Sequence, residues 1–145
     1  MGKSAFIKLV PASLQTSITL DEVKDFLHYY KDITHKTGEQ LGWSYDEAAF
    51  PYAIKERSDS EGKWFYLKSD EERYYMILVG IGEEKVESAE EEDIHTIQHI
   101  QITLPDGSTQ GDFTKAIEFA KFLSKKLQGE LHLFNGRIMY YYKRK

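Results

Sequence analysis

Gly80-Ile81-Gly82 follows a strand-like stretch, as the first turn of a dinucleotide-binding loop would. Lys85 stands where the third glycine belongs, and Glu83 and Glu84 would repel a pyrophosphate. Glycines marking a bulged strand end explain the pattern better. His95 and His99 are four apart, a metal-binding spacing on a helix. Their neighbours, Ile94 to Ile100, read as strand, which would set the imidazoles roughly 13 Å apart, too far to share an ion. His28 and His35 lie two turns apart on a helix, so all four read as solvated histidines. The run Glu83 to Asp93 holds seven carboxylates and one lysine but lacks the alternating ligands and central glycine of a calcium loop. Ser108, in Asp106-Gly107-Ser108-Thr109, has no histidine placed to activate it, and turn chemistry accounts for the segment. With no cysteine in the chain there is no thiolate nucleophile, disulfide or cysteine zinc site. No catalytic residue, cofactor site or metal site is assigned, and a non-enzymatic protein is the expectation.

Composition agrees with an ordinary globular fold. The 145 residues are 41% apolar and 30% charged, which suits a single domain spanning 1–145 with its own core. The absence of cysteine suits a reducing cytosol. The apolar stretch Ala5 to Ile7 is too short for a signal peptide, and Tyr74 to Gly82 is too short for a membrane span, so a cytoplasmic location is expected. The formal charge of −5 disfavours nucleic acid and anionic lipid as partners. Arg137, Lys143, Arg144 and Lys145 beside Tyr140 to Tyr142 form a basic–aromatic tail on which a nucleic-acid strand could stack, but frayed terminal lysines are the commoner case. Asn135 is the only asparagine, and with many Lys and Glu this leans toward a heat-tolerant source.

The elements that would position these residues follow from pattern. Ser4 to Val10 alternates as a strand. Thr19 and Glu22 form a capping box before a helix over about Leu20 to Lys36, with Ile18 stapled to Val23. Ala49 to Lys55, Lys63 to Lys68 and Arg73 to Ile81 read as strands, the first an edge or an irregular strand because of Pro51. Glu83 to Asp93 self-repels and reads as an acidic flexible loop. Ile94 to Leu104 resumes the sheet. A second helix runs from about Phe113 to Leu127, capped by Asp112 and closed by Gly129. Leu131 to Phe134 and Arg137 to Lys143 flank Asn135-Gly136, a two-residue type I′ hairpin signal. The order β-α-β-β-β-β-α-β-β means α+β: an antiparallel sheet with two helices packed mainly on one face. The two halves share a loose strand–helix–strand–strand pattern, a hint of pseudo-repetition.

Register then assigns faces. A two-residue turn puts Leu131, Leu133, Ile138 and Tyr140 on one side and Phe134, Met139 and Tyr141 on the other. Pairing Lys68 with Arg73 groups Phe65, Leu67, Tyr74, Met76 and Leu78, leaving Trp64, Tyr66, Tyr75 and Ile77 opposite. With both helices on the aliphatic side, the outer side carries Trp64, Tyr66, Tyr75, Phe134 and Tyr141. Such a patch exceeds what a soluble monomer usually exposes. It is therefore either covered, by the acidic loop, the Gly42–Phe50 segment or a further strand, or it is an interface for a second copy or a protein partner.

Lys3-Ser4-Ala5-Phe6-Ile7-Lys8-Leu9-Val10, and Gly38-Glu39-Gln40-Leu41-Gly42-Trp43 through Ala49-Phe50-Pro51-Tyr52, resemble a small family of bacterial proteins of unknown function. That family occurs in spore-forming Gram-positive bacteria and their thermophilic relatives. The resemblance implies a curved antiparallel sheet with flanking helices, of TATA-binding-protein topology. It transfers no functional residue, and fold alone gives no function. An interaction module using the aromatic face is the leading expectation. The alternative is a small enzyme whose Asp, Glu, His and Tyr residues assemble from distant positions. Ligand, partner and oligomeric state are not legible.

Overall fold

The computed structural model describes residues 3–41, 52–56, 63–87 and 94–142, with side chains described throughout except at 34–41, 86–87 and 94–95. In chain order the elements are β1 (Lys3–Lys8), α1 (Leu20–Leu41), β2 (Ala53–Lys55), β3 (Trp64–Lys68), β4 (Met76–Glu87), β5 (Ile94–Leu104), α2 (Gln110–Leu127), β6 (Glu130–His132) and β7 (Ile138–Tyr140). The strands form one seven-stranded sheet in the order β2-β3-β4-β5-β1-β6-β7. Every pairing is antiparallel. The α+β class and the element order expected from pattern are those observed. The halves are threaded differently, however. After α1 the chain lands on the far edge at β2 and meanders back to β5, whereas after α2 it lands directly beside β1.

Alternation explains why these segments are strands. Ala5, Ile7 and Leu9 are buried while Ser4, Phe6 and Lys8 are half-exposed. Phe65 and Leu67 in β3, Ile77 and Val79 in β4, and Ile100, Ile102 and Leu104 in β5 complete one apolar face. Both helices cover that same face. Val23 and Leu27 of α1 and Ala116, Phe119, Ala120 and Leu123 of α2 join it in one buried cluster.

The caps are local devices. Thr19 Oγ1 accepts from the Glu22 N–H at 3.2 Å, and Glu22 Oε1 accepts from the Thr19 N–H at 3.1 Å. Asp112 is not the cap of α2. Thr109 is, and Asp112 stands three residues in as the acidic half of a second capping box. At the far end the left-handed residue is Gln128, with φ 53°. Gly129 instead allows close packing, since a Cβ there would lie 3.0 Å from the Lys8 carbonyl oxygen.

Both hairpin registers differ from those expected. The last hairpin closes on Leu133 and Arg137, whose N–H and C=O meet at 2.8 Å, with Gly136 N–H donating to the Leu133 carbonyl at 3.0 Å. Only Gly136 takes positive φ, at 85°, so the loop is three residues and not a type I′ pair. Leu131 consequently pairs with Met139 and His132 with Ile138. In the middle hairpin Lys68 pairs with Met76, not Arg73, and Ser69 N–H reaches the Tyr75 carbonyl at 3.1 Å. Ile77 therefore joins the core and Met76 and Leu78 leave it.

The expected acidic loop is corrected at its start. Residues 83–87 continue β4 and pair with β5 from Glu83 opposite Gln98 to Glu87 opposite Ile94; positions 88–93 lie outside the described residues. Gly80 and Gly82 likewise sit in a continuous ladder opposite Gln101 and His99, so they end no strand. Their role is room. A Cβ on Gly82 would lie 2.8 Å from His99 Nε2, and one on Gly80 would lie 3.1 Å from Trp64 Cβ.

Candidate functional site

The sheet face opposite the helices is the candidate site. Strand parity puts Trp64, Tyr66 and Lys68 of β3 on it, next to Met76, Leu78 and the bare positions Gly80 and Gly82 of β4. His99, Gln101 and Thr103 of β5 and Ser4, Phe6 and Lys8 of β1 form its middle. Glu130 and His132 of β6 and Ile138 and Tyr140 of β7 form its other end.

Of the residues singled out from sequence, Trp64 and Tyr66 are brought together here, both half-buried. Tyr75 lies just before β4, 37% exposed, with Lys68 Nζ 4.4 Å from its ring centroid. Phe134 and Tyr141 do not belong to this face. Phe134 packs on Phe113 of α2 at 5.4 Å between centroids, and both residues lie against the core cluster. The three-residue turn is the reason: it takes Phe134 into the loop, and it shifts the last strand by one position, exchanging its faces. Ile138 and Tyr140 take their place, 40% and 43% exposed. Phe6, Met76 and Leu78 were missed as well. Alternation along β1 would have found Phe6, whereas Met76 and Leu78 depend on the length of the preceding loop.

Polar groups divide the face. Ser4 Oγ and Thr103 Oγ1 are 2.8 Å apart, and Gln101 Nε2 donates to both, at 3.0 and 3.2 Å. Beyond them is a charged cluster. Lys8 Nζ lies 2.9 Å from Glu84 Oε1, and His132 Nε2 lies 2.7 Å from Glu130 Oε1. His99 meets the Phe6 ring edge-on at 5.3 Å, and its Nδ1 is buried without a hydrogen-bond partner. Burial holds the His99 imidazole below its ordinary 6.5; Glu84 opposes that and Lys8 adds to it. Hydrogen bonding from Lys8 holds the Glu84 carboxyl below its ordinary 4.5. A neutral imidazole beside a carboxylate could accept a proton, but no described hydroxyl stands within hydrogen-bond reach of it. Among the described residues no group of three or more His, Cys, Asp or Glu could hold a metal ion.

These shifts fix an expected pH response. A histidine with a lowered folded-state pKa favours the folded state fully above its unfolded value of 6.5, and that contribution is lost as pH falls below it. Glu84 stabilises above 4.5 and loses that contribution as pH falls through its lower folded value. Thermal stability should therefore begin to fall below pH 6.5, with His99→Gln flattening the first part of the decline and Glu84→Gln the later part. An unchanged pH profile in His99→Gln would show that the imidazole takes up its proton unhindered.

No helix among the described residues is long and apolar enough to cross a membrane. The model of a family described as a domain of unknown function, DUF1885, matches residues 3–143. The chain is also similar to a protein of unknown function from Bacillus stearothermophilus whose crystal structure gives a TM-score of 0.53. The two are 39% identical, over 88% of this chain and 91% of that one. No curated protein matches.

Proposed function

Since this chain belongs to the DUF1885 family, a domain of unknown function that brings no activity with it, we propose that it acts as a non-enzymatic interaction module through the open face of its sheet. One observation supports this. Both helices of the described residues lie on one side, leaving Trp64, Tyr66, Met76, Leu78, Ile138 and Tyr140 on the other. Aromatic residues and methionine are the types enriched where proteins meet partners. Of the expected covers, the Gly42–Phe50 segment and positions 88–93 of the acidic loop lie outside the described residues. The cytoplasm as its location belongs to the same proposal, resting on the lack of cysteine.

The simplest occupant is a second copy. Size-exclusion chromatography with light scattering should then give a dimer for the wild type and a monomer for Trp64→Glu, with melting temperatures within a few degrees. If both are monomeric and equally stable, self-association through this face is ruled out.

A second reading, a small enzyme, draws on the Lys8, Glu84, His99, Glu130 and His132 cluster. Its carboxylates are engaged by Lys8, in an ion pair, and by His132, in a hydrogen bond. That leaves His99 alone as a candidate base, and the reading ranks below the first.

A further inference from the structure

Trp64 pairs with Gly80, Gly80 with Gln101, and Gly82 with His99. His99 therefore lies two strands across and two residues along from Trp64, about 12 Å away in the plane of the sheet. A standard interface takes about 800 Å² from each partner, a disc about 16 Å in radius. A second copy centred on Trp64 thus covers His99 as well. β5 is also the middle strand of the sheet, so His99 stays under the contact if its centre moves toward Ile138 and Tyr140.

We propose that self-association through this face is proton-linked: the dimer forms with His99 neutral and comes apart as His99 takes up a proton. The link deepens, and rests on, the reading of the open face as the seat of a second copy. The imidazole is closely seated. A Cβ on Gly82 would lie 2.8 Å from its Nε2, so the ring occupies the space that side chain would need. Phe6 meets it edge-on at 5.3 Å, and Nδ1 is buried without a hydrogen-bond partner. Half-buried in the single chain, the ring loses its remaining water when a second copy covers the face. A charge stripped of water is costly unless it is paired.

The described groups around His99 do not supply that pairing. Lys8 stands directly opposite on β1 and opposes a second positive charge. Glu84 of β4 favours the charged ring, but its Oε1 lies 2.9 Å from Lys8 Nζ. On β5 itself Ile97 and Gln101 share the side of His99 and carry no charge. On β6, beyond β1, His132 Nε2 lies 2.7 Å from Glu130 Oε1, and Glu130 Oε2 accepts from the Tyr142 hydroxyl at 3.0 Å. His132 thus keeps a carboxylate under a covering copy, whereas the one nearest His99 is shared with Lys8. Burial already holds the His99 imidazole below 6.5 in the single chain, and a second copy extends the same cause. A group whose pKa is lower in the dimer favours the dimer fully above its free-chain value, and that contribution is lost as pH falls below it. A two-fold contact holds two such histidines, so Kd rises by up to about a hundredfold per pH unit.

The test is sedimentation equilibrium of the full chain from pH 8 downward, over the range in which circular dichroism shows it folded. The wild-type Kd should be flat above about pH 7 and rise at least roughly tenfold between pH 7 and pH 5.5. In His99→Gln, which takes up no proton in this range, the ratio of those two Kd values should fall close to one, whatever its absolute affinity. His99→Asn supplies the same comparison should the glutamine variant not fold. His28→Gln, exposed on α1, should keep the wild-type ratio. A wild-type dimer whose Kd does not change with pH overturns the proton link and leaves the second-copy contact standing. A wild-type ratio retained in His99→Gln does the same, because another group then carries the response. A wild type that is monomeric at pH 8 removes the contact, and the proton link falls with it.

Discussion

Asp112→Ala is expected to be among the most damaging single substitutions in the described residues, lowering stability by about 4 kcal/mol. The Asp112 carboxylate is fully buried and gathers donors from three separate segments. It accepts from the Tyr52 hydroxyl at 2.6 Å, from the Tyr75 N–H at 2.9 and 3.0 Å, and from the Thr109 N–H at 2.9 Å. The Met76 N–H approaches at 3.4 Å. Alanine leaves these donors without an acceptor in a place water does not reach, and each orphaned group costs about 1–3 kcal/mol before relaxation. Against a total stability of roughly 5–15 kcal/mol, the melting temperature should fall by roughly 10–15 °C. Asp112→Asn keeps one acceptor oxygen and turns an amide toward the remaining donors, so it should lose roughly half as much. Tyr52→Phe should lose about 1 kcal/mol, the value of one hydrogen bond. Burial, reinforced by the adjacent Asp112, pushes the Tyr52 phenol well above its usual range, so it stays a donor at any working pH. Chemical denaturation of the three variants decides the matter. A loss below about 1 kcal/mol in Asp112→Ala would mean that water replaces the carboxylate.

The same carboxylate explains why half of the open face escaped the sequence. Ser69-Asp70-Glu71-Glu72 has the length and polarity of a tight hairpin loop, and local rules pair Lys68 with Arg73. Asp112, 37 residues on, holds the Tyr75 amide, so the loop opens and pairing starts only at Lys68 opposite Met76. No local rule contains that partner. Asn135-Gly136 is the opposite case. The dipeptide announces a hairpin, but two loop lengths suit it, and they differ by the one-residue slip that exchanges the faces of β7. The shorter loop would put Phe134 and Tyr141 on the open face; the longer one takes Phe134 into the turn and puts Ile138 and Tyr140 there. Features whose cause is local were legible: the Thr19–Glu22 box, the alternation of Ala5, Ile7 and Leu9, and the stripe of Ala116, Leu123 and Leu127. The Glu83 to Glu87 stretch was misread because carboxylates on neighbouring positions look self-repelling in one dimension. In a strand they alternate sides, and Glu84 meets Lys8 from β1.

Phe119→Ala should be comparably damaging, at about 3–5 kcal/mol, through loss of apolar contact and the cavity left behind. Phe119 is 1% exposed. Its ring stands edge-on to Tyr30 of α1 at 5.5 Å and to Tyr52 at 6.0 Å, so one side chain joins both helices to the segment entering β2. Edge-to-face pairs add about 0.5–1.5 kcal/mol beyond burial, which places this site near the upper end of the range. Phe119→Leu fills most of the space without the ring edges and should lose about 1.5 kcal/mol. Because Phe119 walls in Tyr52, the double variant Phe119→Ala with Tyr52→Phe should fall short of the sum of its parts by more than about 0.5 kcal/mol, as coupled neighbours do. Strict additivity in urea unfolding would mean that the ring and the Asp112 network act independently. The open face offers the contrast that gives this measurement functional meaning. Trp64→Glu changes a half-buried ring on the side opposite both described helices and should leave stability nearly intact while altering binding. Phe119→Ala should do the reverse, because Phe119 belongs to the core between the helices and the sheet.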